Sequence, residues 1–179
     1  VVNGMSPSKR NNLYANSGVV VEINVHQDIP KYDHFGALKG LEYQKNLEKL
    51  AFTAGGRTQT APAQRLTDFV EGTLSNTLND CSYQPGLKSA PLHSLLPKII
   101  GGRLRTGLKE FGKKMNGYYT EEANVIGVES RTSSPVSIPR KENLEHTQIE
   151  GLYPCGEGGG YAGGIVSAAM DGERCAEAA

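Results

Sequence analysis

Hydrophobic residues recur at helical spacing in three stretches of the chain. These stretches are residues 36–54, 92–115 and 165–179. We expect Gly55-Gly56 to end the first helix, because glycine is common just after the last helical turn. Pro97 and Gly101-Gly102 are expected to break the second pattern into two pieces, the later of which covers residues 104–115.

Alternating or β-branched apolar residues predict short strands between these helices. The predicted strands are residues 18–25, 124–130, 135–139 and 147–153. Polar stretches that contain proline, glycine or asparagine are typical of loops, and they cover residues 6–17, 57–64 and 72–89. The order of elements predicts the α/β class and, more narrowly, an α+β arrangement of mixed strands and helices.

The composition limits the kinds of function that the chain can have. Nineteen basic and nineteen acidic side chains give a formal charge of zero, which argues against a nucleic-acid surface. No run of about 18 apolar residues exists, so we expect no membrane span. Cys81, Cys155 and Cys175 form no C-x-x-C pair and the four histidines lie in separate segments, so we expect no disulfide framework, no metal site and a cytoplasmic location.

The strongest candidate for a binding site is the glycine-rich stretch that precedes the last predicted helix. Six of the nine residues from Gly156 to Gly164 are glycine. Unpaired amides at a helix N-terminus favour anionic or acceptor-rich ligands, and glycine lets such ligands approach the backbone. A tight turn that needs glycine only for its backbone angles is the alternative interpretation.

Residues 158–163 also match the spacing G-x-G-x-x-G. The dinucleotide fingerprint requires a strand, a turn, a helix and a second strand, with an acidic residue about 20 positions further on. Only residues 164–179 follow within this sequence, so we do not expect this turn to open a βαβ unit of its own.

Three segments of the chain resemble uncharacterised FAD-dependent dehydrogenases related to the glutathione-reductase-type flavoproteins. The segments are residues 1–6, 127–136 and 151–165. The resemblance extends over the chain but corresponds to the C-terminal portion of such proteins, whose N-terminal Rossmann unit grips the ADP half of FAD. It implies that residues 1–122 belong to a substrate or cap domain, and that residues 123–179 supply the final strand, glycine turn and helix of a Rossmann-like FAD-binding domain.

The resemblance also implies a set of cofactor-binding residues. They are Gly156, Glu157, Gly158, Gly163, Gly164 and Ile165. In this family Glu157 would hydrogen-bond the ribityl chain, and the amides near the start of the last helix would face the O2–N1 edge of the flavin. Positive potential there would stabilise the anionic reduced flavin, while the hydride chemistry belongs to the cofactor.

A second candidate motif is Arg131-Thr132-Ser133-Ser134, which joins a cation to three hydroxyls ahead of Pro135. Such residues hold oxygen-rich or anionic groups well, but by themselves they favour a turn that only organises a hairpin. The resemblance implies a position close to the flavin or substrate pocket. The sequence assigns no catalytic acid, base or nucleophile, since no G-x-S-x-G elbow exists and no second cysteine adjoins Cys155.

Together these features predict the C-terminal part of an FAD-dependent oxidoreductase that is inactive alone. The intact protein would transfer hydride between a small-molecule substrate and FAD, with NAD(P)H as a candidate electron donor. The missing N-terminal part of its own polypeptide would be its partner. Two alternatives stay open: a self-contained nucleotide- or anion-binding module, and a structural interaction domain without redox chemistry.

Overall fold

The chain forms a mixed α/β structure with one small sheet, seen in a computed structural model that describes residues 1–4 and 6–179. In chain order the elements are a 3₁₀ helix (Pro30–Leu38), α1 (Lys39–Ala54), β1 (Ala61–Arg65), α2 (Leu66–Glu71), β2 (Leu87–Ser89), α3 (Leu92–Leu95), α4 (Lys98–Lys114), β3 (Asn124–Ile126) and α5 (Ile165–Ala178). The predicted α+β arrangement is therefore confirmed. No helix in the described part of the chain is long and apolar enough to cross a membrane.

The structure contains two compact units. The first comprises Val1–Asn24 and Lys45–Ser130, and the second comprises Val25–Gln44 and Arg131–Ala179. The functional boundary that the sequence places between residues 122 and 123 stays a prediction.

The first unit is built on the three-stranded sheet. The strand order is β2-β1-β3, with β1 parallel to β2 and antiparallel to β3. The central strand β1 is buried from Ala61 to Gln64. The core beside it includes Phe69, Val70 and Leu92, all fully buried. Burial of these large apolar side chains supplies the main favourable free energy of the unit.

One polar side chain, Gln64, is enclosed in this apolar setting. Its Oε1 accepts a hydrogen bond from the backbone N–H of His93 at 2.9 Å, and its Nε2 donates to the Thr73 carbonyl at 2.5 Å. The Nε2 atom also lies 3.0 Å from Nδ1 of His93. Gln64 thus ties β1 to the chain after α2 and to α3, and its buried amide is paired at both ends.

The helix predictions hold better than the strand predictions. Helix α1 ends at Ala54, before Gly55-Gly56, and α5 begins at Ile165, as expected. The expected break at Gly101-Gly102 is wrong: α4 runs through both glycines, and Gly101 is buried with Ile100 and Leu108. Tertiary packing therefore outweighs the low helix propensity of glycine at this point.

Three predicted strands are absent from the described structure, namely residues 18–25, 135–139 and 147–153. Val20 in the first of them is 59% exposed, so the β-branched run has no sheet to join. Strand β3 covers only the first three residues of the predicted strand at 124–130. Conversely, β1 lies mainly in the expected loop 57–64, because its Ala-Pro-Ala-Gln sequence lacks the β-branched residues that announce a strand.

Replacing Gln64 tests its role as the polar anchor of the first unit. The Gln64→Leu variant removes the partner of the His93 N–H and of the Thr73 carbonyl in a partly buried setting, so we expect the free energy of unfolding to fall by about 2 kcal/mol. Urea denaturation measures this loss. Gln84→Leu, at an exposed position, is the matched control and should change stability by less than about 0.5 kcal/mol. Equal effects at both positions would contradict the assignment.

Candidate functional site: the glycine turn before α5

The glycine turn, residues 156–164, has a closed side that packs against its own unit. Gly160 has φ +81°, and a Cβ there would lie 2.6 Å from the Val136 carbonyl oxygen. A Cβ on Gly159 would lie 3.0 Å from the backbone N and O of Cys155. Real Cβ atoms essentially never approach as closely as 2.6 Å, so packing requires glycine at position 160, whereas a Cβ at position 159 would be crowded by the backbone of Cys155. For Gly160, which also has a positive φ, the tight-turn interpretation is supported.

The other side of the turn is open. A Cβ on Gly158 would meet nothing within 4 Å, and a Cβ on Gly163 would meet only the Thr132 carbonyl oxygen at 4.0 Å. Gly164 lies next to Ser167, whose Oγ accepts a hydrogen bond from the Gly164 N–H at 3.1 Å. Glu157 is exposed, and Ile165 is 93% exposed. Five of the six predicted cofactor-binding residues therefore lie on an accessible stretch of backbone.

The sixth of these residues, Gly156, is buried and has protein partners for both backbone polar groups. Its N–H donates to Oδ2 of Asp171 at 2.9 Å, and its carbonyl accepts a hydrogen bond from the N–H of Tyr161 at 3.1 Å. With φ +61°, it adopts the left-handed conformation that favours glycine. Gly156 therefore fixes the entry to the turn, and its contact with a cofactor stays a prediction.

A buried ion pair holds the turn to α5. The Arg140 guanidinium donates two hydrogen bonds to the Asp171 carboxylate, Nη1 to Oδ2 at 2.9 Å and Nη2 to Oδ1 at 2.8 Å. Both side chains are only 10% exposed. Nη1 also donates to the Pro154 carbonyl at 2.9 Å, and the guanidinium carbon lies 3.6 Å from the centre of the Tyr161 ring. The bidentate geometry and the aromatic contact are those for which arginine is suited and lysine is not.

The electrostatics of this cluster follow from its hydrogen bonds. The Arg140 guanidinium and the Gly156 N–H lower the pKa of Asp171 to about 2. The hydrogen bond to Asp171 in turn raises the pKa of Arg140. The Cys175 thiol lies 3.4 Å from Nη1 of Arg140, and burial raises its pKa. The pair is therefore fully ionised at neutral pH, whereas Cys175 is held as a neutral thiol.

The second predicted motif lies beside the turn. The Thr132 carbonyl faces the open position at Gly163, and the Val136 carbonyl faces Gly160. The Ser134 hydroxyl donates to the Val136 carbonyl at 2.7 Å, so this residue organises the local turn. The side chains of Arg131, Thr132 and Ser133 are exposed. The structure thus brings residues 131–134 and the glycine turn together within one unit.

The structure adds four residues to the site that the sequence did not single out for it: Arg140, Tyr161, Asp171 and Cys175. Only Asp171 carries a local signal, because it is a charged residue on the inner face of an otherwise alanine-rich helix. Its partner lies 31 positions earlier in an irregular segment, which no spacing rule indicates. Within the described residues, no group of three or more metal-ligating side chains occurs.

One buried hydroxyl in the same unit has no hydrogen-bond partner within the described structure, that of Tyr43 on α1. Its ring packs edge-to-face on Tyr32, with the ring centres 5.3 Å apart. Burial raises the pKa of Tyr43 to about 12, and nearby Tyr32 and Asp28 add to the shift. The group is therefore a neutral phenol whose hydrogen-bonding capacity is unused among the described residues.

Comparisons with known proteins relate the chain to an FAD-dependent family. A family model described as "FAD-dependent protein, C-terminal domain-like" matches residues 1–132. The chain is also 40% identical, over 179 residues, to an "Uncharacterized protein" of Clostridium beijerinckii (strain ATCC 51743 / NCIMB 8052). That alignment covers 99% of this chain and 33% of the relative, so the chain spans about a third of the length of the curated relative that it matches.

The chain belongs to the family of FAD-dependent protein C-terminal domains. The matched residues 1–132 include Arg131 and Thr132 but end before the glycine turn. The glycine turn lies outside the matched residues, although the alignment with the relative extends over nearly the whole chain.

Removing the charge of Asp171 tests the ion pair that holds the turn. In Asp171→Asn the Arg140 guanidinium stays buried without a counter-charge, so we expect a loss of about 3 kcal/mol in unfolding free energy. The control is Glu110→Gln, which breaks the exposed Glu110–Lys113 pair and should leave the stability nearly unchanged, because solvent screens exposed ion pairs. An Asp171→Asn chain as stable as the control would show that the pair does not hold the turn.

The pH dependence of the unfolding free energy provides a second test of the Arg140–Asp171 ion pair. The folded-state pKa of Asp171 lies below that of the unfolded chain, so its stabilisation is complete above about pH 4 and is lost as the pH falls to about 2. We expect about 2–3 kcal/mol to disappear over this window. Asp171→Asn has no carboxylate at this position, so its unfolding free energy should not show this pH-dependent fall. Urea denaturation of both chains between pH 2 and pH 5 measures the difference.

Replacement of Tyr43, whose hydroxyl has no partner among the described residues, is expected to increase stability. Tyr43→Phe removes a buried polar atom that has no partner, so we expect the chain to become more stable by about 1 kcal/mol. Tyr83→Phe is the matched control, because its hydroxyl donates to the Gln59 carbonyl at 2.7 Å. That variant should lose stability in the same thermal denaturation experiment. A loss of stability in Tyr43→Phe would mean that the hydroxyl has a partner.

Proposed function

We propose that this chain is the C-terminal portion of an FAD-dependent oxidoreductase related to the glutathione-reductase-type flavoproteins. The intact protein would transfer hydride between a small-molecule substrate and FAD, with NAD(P)H as a candidate electron donor. It would act in the cytoplasm, without a nucleic-acid partner. Membership of the FAD-dependent family supports the cofactor, and the chain by itself would be inactive.

The observation that carries this proposal is the open side of the glycine turn. Gly158 and Gly163 have almost nothing within 4 Å of the position that a Cβ would occupy, although the turn is held firmly on its other side. In a glycine-rich turn that leads into a helix, glycines that are needed neither for packing nor for a positive φ leave the backbone open to close approach by another molecule. This half-open cradle suits a flat, oxygen-rich cofactor.

The residues of the turn are suited to the part of FAD that the resemblance assigns to them. The exposed Glu157 carboxylate can accept hydrogen bonds from ribityl hydroxyls. The first amides of α5 carry the positive end of the helix dipole, and these follow Gly163 and Gly164 directly. Bound FAD supplies the hydride-accepting chemistry, while Glu157 and the amides of Gly163 to Ile165 would orient it.

The exposed side chains of Arg131, Thr132 and Ser133 belong to the same proposed pocket. Their loop approaches α1 closely, because a Cβ on Gly40 would lie 2.9 Å from the Pro135 carbonyl oxygen. Packing of this kind fixes the backbone of the loop beside the turn. We propose that these three side chains face the flavin or the substrate, where a cation and hydroxyls would bind oxygen-rich groups.

The Gly163→Val substitution tests the cradle. The new side chain has room in this chain, so the Tm of the isolated chain should not fall, but it would stand where the cofactor approaches the backbone. In the intact polypeptide we expect flavin affinity to fall by about tenfold or more, the cost of losing one or more contacts worth 1.4 kcal/mol. Flavin content after gel filtration, and the Kd for added FAD, measure the effect.

The matched control is Gly102→Val on α4, where a Cβ also meets nothing within 4 Å. It should leave flavin affinity unchanged. If Gly163→Val also leaves flavin affinity unchanged, the proposed contact between the flavin and the backbone at Gly163 is wrong. Saturable binding of ADP or phosphate by the isolated chain, without any flavin in the intact polypeptide, would favour an anion-binding module instead.

A further inference from the structure

Helix α5 has one face that packs within its own unit. Asp171 and Cys175 are buried, and Ala168 and Gly172 are half-buried. Because positions separated by three, four and seven residues lie on the same side of a helix, these four define its inner face. The inner face is made of small or paired side chains and contains no large hydrophobic residue.

The large hydrophobic residues of α5 lie on a different face. Ile165 is 93% exposed, Val166 is 71% exposed and Met170 is 59% exposed. With the exposed Ala169 they occupy positions i, i+1, i+4 and i+5, which form one continuous stripe over the first two turns. We call these four residues the outer stripe. Single exposed apolar residues are ordinary, but a continuous apolar stripe indicates a surface that another segment covers.

We propose that the outer stripe is the docking surface for the part of the same polypeptide that lies outside this chain. The inference rests on the proposed function, which makes this chain the C-terminal portion of a longer flavoprotein. The relative from C. beijerinckii supports this occupant, because the chain covers only 33% of its length. The remaining two thirds of such a polypeptide are available to cover α5.

The charge of the same face argues against a second copy as the occupant. Glu173 and Glu177 continue the outer stripe along the later turns of α5, and the exposed Arg174 lies at its edge, one turn after Met170. A parallel pairing of two copies would set carboxylate against carboxylate, and an antiparallel pairing would set carboxylates against apolar side chains. The complementary surface is apolar opposite the first two turns and basic opposite Glu173 and Glu177.

Docking on this stripe would also complete the cofactor site. Ile165 and Val166 follow directly on Gly163 and Gly164, so a segment that covers them holds the open side of the turn in place. The Arg140–Asp171 pair already holds the inner face. Cofactor retention should therefore depend on the outer stripe even though its side chains need not touch the flavin.

Methionine oxidation measures the covering of this stripe directly. In the isolated chain, Met170 and the 45% exposed Met115 should react with hydrogen peroxide at rates within about threefold of each other, as exposed methionines do. In the full-length polypeptide, the oxidation of Met170 should slow by about tenfold or more, since burial restricts access of the oxidant. Mass spectrometry of peptides reads both sites in one sample.

Two results would overturn the proposal. One is a Met170 rate in the full-length polypeptide equal to that in the isolated chain. The other is concentration-dependent protection of Met170 in the isolated chain, which would show that a second copy covers the stripe. A Met170→Glu variant adds a second measurement: it should lower the Tm of the full-length polypeptide but not of the isolated chain, and Met170→Leu should retain the native Tm in both.

The absorption spectrum of the same full-length sample separates this inference from the proposed function. Protection of Met170 in a colourless polypeptide that does not take up FAD supports the docking surface while removing the proposed cofactor role. Flavin bands together with an unprotected Met170 overturn the docking surface and leave the cofactor role standing.

Discussion

The second unit depends on one interaction, the buried ion pair between Arg140 and Asp171. Among the described residues, Ile29, Pro154 and Cys175 are the apolar side chains that this unit buries, so apolar burial gives it little specificity. A bidentate ion pair does give specificity, because both partners must be desolvated together and in one geometry. The same guanidinium also binds the Pro154 carbonyl, and the same carboxylate binds the Gly156 N–H. The pair therefore sets where the glycine turn begins and where α5 lies beside it.

Fixing one side of the turn leaves the other side free for binding. Gly159 and Gly160 face the backbone of their own unit, where a Cβ would be crowded at the first and would collide at the second, whereas Gly158 and Gly163 face open space. A rigid but uncovered backbone is preorganised for binding, because no conformational entropy is lost in ordering the loop when the ligand binds. The apolar outer stripe of α5 borders the same open side. The site and the proposed docking surface are thus two consequences of one local arrangement.

The sequence correctly predicts features that depend on local spacing. It does not predict features that depend on contacts between residues far apart in the chain. The start of α5 at Ile165 and the end of α1 before Gly55-Gly56 follow from periodicity and glycine placement. The strand expected at residues 18–25 requires a sheet to pair with, and no pattern within the segment reveals whether one is near. Likewise, six glycines identify the turn, but only the structure separates those that packing requires from those that face open space. Arg140 and Asp171 are 31 positions apart, so no local sequence pattern indicates that they pair.

The central claim is that the open glycine turn belongs to a flavin cradle, and a visible absorption spectrum of the intact polypeptide tests it most directly. The measurement needs folded, full-length protein as purified, followed by the same protein after incubation with FAD and gel filtration. We predict flavin bands that stay with the protein and lose intensity when a reductant is added. A folded, intact polypeptide that is colourless both before and after incubation with FAD would contradict the account.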